Sequence, residues 1–188
     1  MPARPLVFYP DPGLSRLADP VELFGANLRS LVDDVSDTLR AVSAIGLTAP
    51  HIGVSARVVV IRMSPEETPH CYVNPTLLWT SADTATHEEG SVSMPGVREQ
   101  ITRPAAVRFG YSDLDGSVHE AEADGFLAAV VQHEIDQLDG IFWIDRLSRL
   151  KRERLLKRFS KVRPSVEQSF EAGGERLEAG LRGLGHHR

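Results

Sequence analysis

The chain has 188 residues, enough for one domain with a full core and too few for two, and its single cysteine, Cys71, excludes any fold built on an internal disulfide. Hydrophobic residues at 41% and charged residues at 25% are the mixture of a soluble globular protein, and no apolar run approaches the roughly 20 residues that span a bilayer. The net charge of -5 gives no overall drive toward nucleic acid, and the segment from Met1 to Tyr9 lacks the basic start and apolar stretch of a secretory signal. The expected protein is therefore cytoplasmic, with neither DNA nor membrane as a partner.

In chain order, Leu28, Leu31, Val32, Val35, Leu39 and Val42 fall on one helical face and predict an amphipathic helix over about Phe24 to Val42. Short segments rich in Val or aromatics predict strands at Arg57 to Ile61, Cys71 to Asn74, Ala105 to Tyr111 and Val118 to Ala123, with Asp115-Gly116 as the hairpin turn between the last two. Cys71 lies in a strand and reads as a buried, inert thiol. Gly125 opens a run too apolar for a surface helix, which continues to Gly140 and predicts a buried central helix. A third helix is expected from Ser148, as N-cap, to Lys161, with Leu150, Leu155, Leu156 and Phe159 as its apolar stripe. After Pro164 the chain turns polar and Gly-rich, so the expected organisation is one domain over 1–163 and a flexible tail over 164–188. Strands packed on a central helix give the fold class α+β.

The strongest local signal is His133-Glu134-Ile135-Asp136-Gln137. In an H-E-x-x-H helix two histidines one turn apart grip one metal, with the glutamate beside it as general base; here the second histidine is Gln137. Two further segments, Ala44-Ile45-Gly46-Leu47-Thr48-Ala49-Pro50-His51-Ile52-Gly53 and Glu89-Gly90-Ser91-Val92-Ser93, precede Gln132 to Gly140. In that order the three resemble the G-x-G-L-A-A-x-Q-x-G, E-G-C-L-S and Q-H-E-x-D-H-L-x-G motifs of the peptide deformylase family. Asn74-Pro75, Arg103-Pro104, Glu122 to Gly125 and Ile144 to Leu147 stand where that family has similar residues, and the resemblance runs from roughly Leu6 to Lys161.

The resemblance implies small antiparallel sheets around a central motif-bearing helix, with N-terminal and C-terminal helices. It implies hydrolytic removal of formyl from N-formylmethionyl peptides by one divalent metal (iron, nickel, cobalt or zinc). The implied metal positions are Ser91, His133 and Gln137; Glu134 is the implied base, and His51 with the Val92 backbone N–H the implied oxyanion donors. Ile45, Gly46, Phe126 and Val130 fall at the substrate pocket, so the implied ligand is a peptide with an apolar first residue. Two ligand types are changed. A serine hydroxyl is a poor substitute for a thiolate and an amide oxygen for an imidazole, so metal is expected to be absent or weakly bound and ordinary deformylation lost or very weak. Three readings follow from the residues. The first is a peptide-binding protein without catalysis. The second is a metal-independent hydrolase or acyl-transfer enzyme using Ser91, a histidine and Glu134. The third is a hydrolase whose metal site is rebuilt on His51 and His133. His70 and His87 are placed in loops and His119 beside the hairpin, all solvated. The basic stretch from Arg149 to Arg163 reads as the wet face of a helix with a possible second use, contact with ribosomal RNA.

Overall fold

This computed structural model describes residues 3–162, so Arg163 and the tail expected after Pro164 lie outside the described residues. Three helices and seven strands carry the fold: α1 (Ala26–Ala41), β1 (Gly46–Thr48), β2 (Val58–Ile61), β3 (His70–Thr80), β4 (Thr84–Ser91), β5 (Met94–Pro104), β6 (Ala106–Ser112), β7 (Val118–Asp124), α2 (Gly125–Leu138) and α3 (149–162). Five strands form one antiparallel sheet in the order β1-β2-β3-β6-β7, and β4 and β5 form a separate two-stranded sheet.

The middle of the large sheet shows why β2 is apolar at every position. Side chains alternate across a strand, and here both faces are covered. Val58 and Val60 join Leu28, Val32, Val35 and Leu39 of α1 in one cluster, while Val59 and Ile61 join Ala128, Val131, Ile135 and Leu138 of α2 in another. A third cluster sits beside the small sheet, where Met94, Val97 and Ile101 of β5 pack with Phe142, Trp143 and Ile144 and with Leu155 and Phe159 of α3. The short 3-10 turn Pro12–Ser15 sends Leu14 into this cluster.

The expected elements are present with shifted ends, and three strands had no counterpart in the sequence reading: β1, β4 and β5. The reason is physical. β4 is polar because much of its length is exposed, and β5 carries Pro95 and Gly96 at its start, yet Val97, Ile101 and Arg103 alternate inward with charged or polar residues outward. β3 runs on to Thr80 through Trp79, beyond the Cys71 to Asn74 segment. His70 and His87 lie in strands β3 and β4 rather than in loops, and His119 lies in β7 beside the hairpin, as expected. His70 and His119 are solvated as expected, but His87 is half-buried, its Nε2 without a hydrogen-bond partner among the described residues and its ring centred 5.6 Å from that of Phe126. Cys71 is half-buried in β3, and burial pushes its thiol up to about 12, the inert state expected of it.

Helix α2 stops where Gly140 takes a left-handed backbone, φ 77°, and Ile141 N–H turns back to Asp136 O at 2.8 Å. A Cβ at Gly140 would stand 2.9 Å from the Arg16 carbonyl carbon, so this turn also seats the N-terminal segment. Gly140→Ala is expected to cost at least about 1–2 kcal/mol from the backbone alone, with the clash adding to it. Urea denaturation reads this as a lower midpoint; an unchanged midpoint would show that the backbone at 140 leaves the left-handed region and the Arg16 segment moves aside.

Candidate active site

The three motif segments arrive from different elements and enclose one cavity of about 420 Å³. The turn after α1 and strand β1 bring Ala44, Ile45 and Gly46; the short 3-10 turn Ala49–Ile52 brings His51; the β4–β5 hairpin brings Glu89, Ser91 and Val92; and α2 brings Phe126, Val130, His133 and Glu134. Of the sequence-derived site residues, all line this cavity except Gln137. Ile45 and Phe126 are 37% and 43% exposed and form an apolar lip, whereas Gln137 is 2% exposed. The Gln137 amide Nε2 donates to Leu14 O at 2.7 Å, pinning α2 to the Pro12–Ser15 turn.

Beneath the cavity lies a buried chain of charges. Arg103 Nε and Nη2 donate to the two oxygens of Glu89 at 2.6 and 3.0 Å, and its Nη1 donates to Asp136 Oδ2 at 2.7 Å. Arg146 closes the far side, donating to both Asp136 oxygens. Glu89 in turn accepts from His133 Nδ1 at 2.9 Å. Burial opposes the charge on Glu89, but the His133 and Arg103 hydrogen bonds outweigh it and hold its carboxyl at about 2. Burial likewise opposes the charge on His133, yet its bond to Glu89 and the nearby carboxylates raise its pKa above the ordinary value.

The carboxyl of Glu134 sits against β1, where a Cβ on Gly46 would lie 2.3 Å from its Oε1 and push the carboxyl from its place. Its Oε2 is buried without a hydrogen-bond partner among the described residues. Burial lifts Glu134 to about 7, the range of a group that takes and returns protons near neutrality. His51 is buried, and its Nδ1 accepts from the Thr48 backbone N–H at 3.1 Å while lying 2.7 Å from the Thr48 hydroxyl. Burial and the neighbouring His133 depress His51 to about 3, so its ring is neutral. Ser91 Oγ accepts from Ser93 N–H at 3.1 Å; among the described residues no histidine hydrogen-bonds to it. The Val92 N–H, in the tight turn between β4 and β5, has no hydrogen-bond partner among the described residues.

A family model described as polypeptide deformylase matches residues 3–153. The chain belongs to this family. A protein named peptide deformylase-like from Brucella melitensis biotype 1 is 53% identical over 162 residues, which covers 86% of this chain and 99% of that one. A peptide deformylase from Methylocella silvestris is 43% identical over 168 residues, covering 86% of each. The crystal structure of a peptide deformylase from Legionella pneumophila matches with a TM-score of 0.82 at 33% identity, covering 88% of this chain and 98% of that one.

Within this deformylase fold, sequence reasoning named the cavity wall and missed what supports it. Thr48, Leu14, Asp136 and Arg146 received no role, and Glu89 and Arg103 entered only as parts of similar text. The alternation Ile101-Thr102-Arg103 in β5 carried a usable signal: the arginine shares the inward face with Ile101, and a buried arginine requires acidic partners.

Glu134 gives a pH test with a definite sign. Its folded pKa, about 7, lies above its usual 4.5, so the folded state binds more protons than the unfolded one between these values and stability falls as pH rises through that window. Glu134→Gln, which stays neutral, should match wild type near about pH 4 and exceed it by about 3 kcal/mol at about pH 8. Chemical denaturation at the two pH values measures the difference, and equal gaps would place the Glu134 carboxyl in a wetter setting.

Proposed function

We propose that this deformylase-family chain binds the N-terminal end of a peptide in its cavity and has lost the metal-dependent hydrolysis of the formyl group. The observation that carries this reading is Gln137: the implied second histidine ligand is an amide held on Leu14 O and set back from the cavity. The implied thiolate is Ser91, a hard neutral hydroxyl engaged with Ser93 N–H. His133 has a ligand-like arrangement, with Nδ1–H donated to a carboxylate and Nε2 without a hydrogen-bond partner among the described residues. Among the described residues no group of three or more His, Cys, Asp or Glu is placed to hold a metal. The residues present therefore do not fit a tightly bound divalent ion, and no step is routed through one. The apolar lip of Ile45, Phe126 and Val130 suits a methionine-like first side chain, and no described helix is long and apolar enough to cross a membrane.

The serine-hydrolase alternative has its residues around one cavity but lacks the hydrogen bond from Ser91 to a histidine base that activation requires. The rebuilt-metal alternative meets a difficulty at His51, whose Nδ1 accepts a backbone N–H and so places the ring proton on Nε2.

Offered iron, nickel, cobalt and zinc in turn and then dialysed, wild type should retain well under one equivalent and release no formate from a formyl-methionyl peptide. The double variant Ser91→Cys with Gln137→His should retain about one equivalent. Robust wild-type turnover would overturn the reading; an inert double variant would mean that the Leu14 side of the cavity must be rebuilt as well.

The same reading places the protein near nascent chains. On α3, Arg149, Lys151, Arg152 and Arg158 pair with Glu153, Glu99, Asp145 and Glu99. Arg154, Lys157 and Lys161 are exposed on one face without an acidic partner among the described residues, a surface suited to phosphate. Ribosome co-sedimentation at low salt should weaken when these three are changed to Gln; absence of binding at low salt removes this contact.

A further inference from the structure

The two faces of the large sheet are covered unequally. On the inner face α2 packs against Val107 and Phe109 of β6 and Ala123 of β7, whereas on the outer face α1 packs against Val58, Val60 and Val73, which belong to β2 and β3. Alternation turns Ala121 and Ala123 to the inner side, so Val118, Glu120, Glu122 and Asp124 share the outer side of β7, and all four are exposed. The row is one apolar residue followed by three acids. Glu122 and Asp124 have no basic partner among the described residues, and Glu120 reaches Arg108 of β6 at 3.9 Å. Strand β3 borders this row with apolar side chains. A bulge interrupts its pairing with β6 between Leu77 and Trp79; Leu78 lies over Gly110, where a Cβ would stand 3.4 Å from its Cδ1, and Trp79 pairs in register with Arg108. Leu78 and Trp79 are 49% and 51% exposed, on a face otherwise made of charges.

A complementary stripe exists on α3. Leu150, Arg154, Lys157 and Lys161 follow the helical period on the side away from the buried Leu155 and Phe159, and all four are exposed. This stripe is one apolar residue followed by three cations, the same order as the apolar residue and three acids of β7. At about 1.5 Å per helical residue the stripe is about 16 Å long, and at about 3.4 Å per strand residue Val118 to Asp124 is about 20 Å. Three strands span about 10 Å, the width of one helix.

We propose that the outer face of β7, bordered by Trp79, receives the α3 stripe of a second copy of this chain, with Leu150 toward Val118 and the three cations along Glu120, Glu122 and Asp124. Within one chain Leu155 and Phe159 hold α3 beside the small sheet, so its outward stripe meets this face only in another molecule. Each copy carries one stripe and one receiving face on different elements, so the contact is heterologous and runs head to tail unless a ring closes. Exposed ion pairs contribute little individually; they set the register, and Leu78, Trp79 and Leu150 supply the apolar area. Ribosomal phosphate would engage the same three cations, so the two contacts exclude each other and the test uses ribosome-free protein.

Sedimentation velocity of the full chain at low salt should give a mass that rises with concentration beyond one chain and returns to one chain at high salt. Tryptophan emission should move to shorter wavelength on association; of the two tryptophans Trp143 is already buried, so the signal belongs to Trp79, and Trp79→Ser should remove it together with most of the association. Glu122→Lys and Lys157→Glu should each weaken self-association on the order of 10-fold. Both side chains are exposed, so each variant should melt near wild type. Mixed, the two variants should associate about as well as wild type, because one brings an intact stripe and the other an intact face. A wild type that stays a single chain at every concentration in low salt overturns the proposal. So does association that both charge reversals leave unchanged, or a mixture no stronger than either variant alone.

Discussion

The cavity depends on one buried guanidinium. Arg103 reaches from β5 to Glu89 on β4 and to Asp136 on α2, so a single side chain ties the small sheet to the central helix. An ion of this kind is costly to bury alone, and removing one partner of such a group characteristically costs about 3–5 kcal/mol because the remaining charges are stranded. Here each charge is answered: Arg103 by two carboxylates, Asp136 by a second arginine, and Glu89 by His133. His133 consequently owes its orientation to residues on three other elements, and the floor of the cavity is rigid before any ligand arrives.

Two polar side chains beside that floor are engaged within the chain. Position 91 carries a hydroxyl turned into its own hairpin, and position 137 carries an amide that braces α2 against the N-terminal turn. Both side chains do structural work inside the chain. Glu134, packed on Gly46 with one oxygen unpartnered, keeps the raised pKa of a proton-handling group. Glu134, Ser91, the apolar lip and the Val92 N–H thus line one cavity of a deformylase-family fold.

Legibility differed by kind of residue. The motif residues were readable because their spacing along the chain is tied to a helix and two tight turns, and the structure brings Ala44 to Gly46, His51, Ser91 to Val92 and His133 to Glu134 to one cavity as their order suggested. Strands β4 and β5 were not readable, since their stability comes from pairing with each other and from one buried face, and their outward residues are as polar as any loop. His87 was misplaced for the same reason: its neighbours in sequence are polar, but its neighbour in space is Phe126.

By itself the sequence determined the helical stripes of α1 and α3, the apolar β2 that needs cover on both faces, the order of the motifs and the serine and glutamine at positions 91 and 137. These are properties of residue type and local period, which a chain carries before it folds. Only the tertiary structure decided that Gln137 serves Leu14 rather than the cavity, that Arg103 joins the small sheet to the central helix, and that His51 Nδ1 faces the Thr48 N–H. Each of those depends on the direction of a single polar atom, fixed by a partner distant in sequence or by the local path of the backbone, and residue identity alone leaves that direction open.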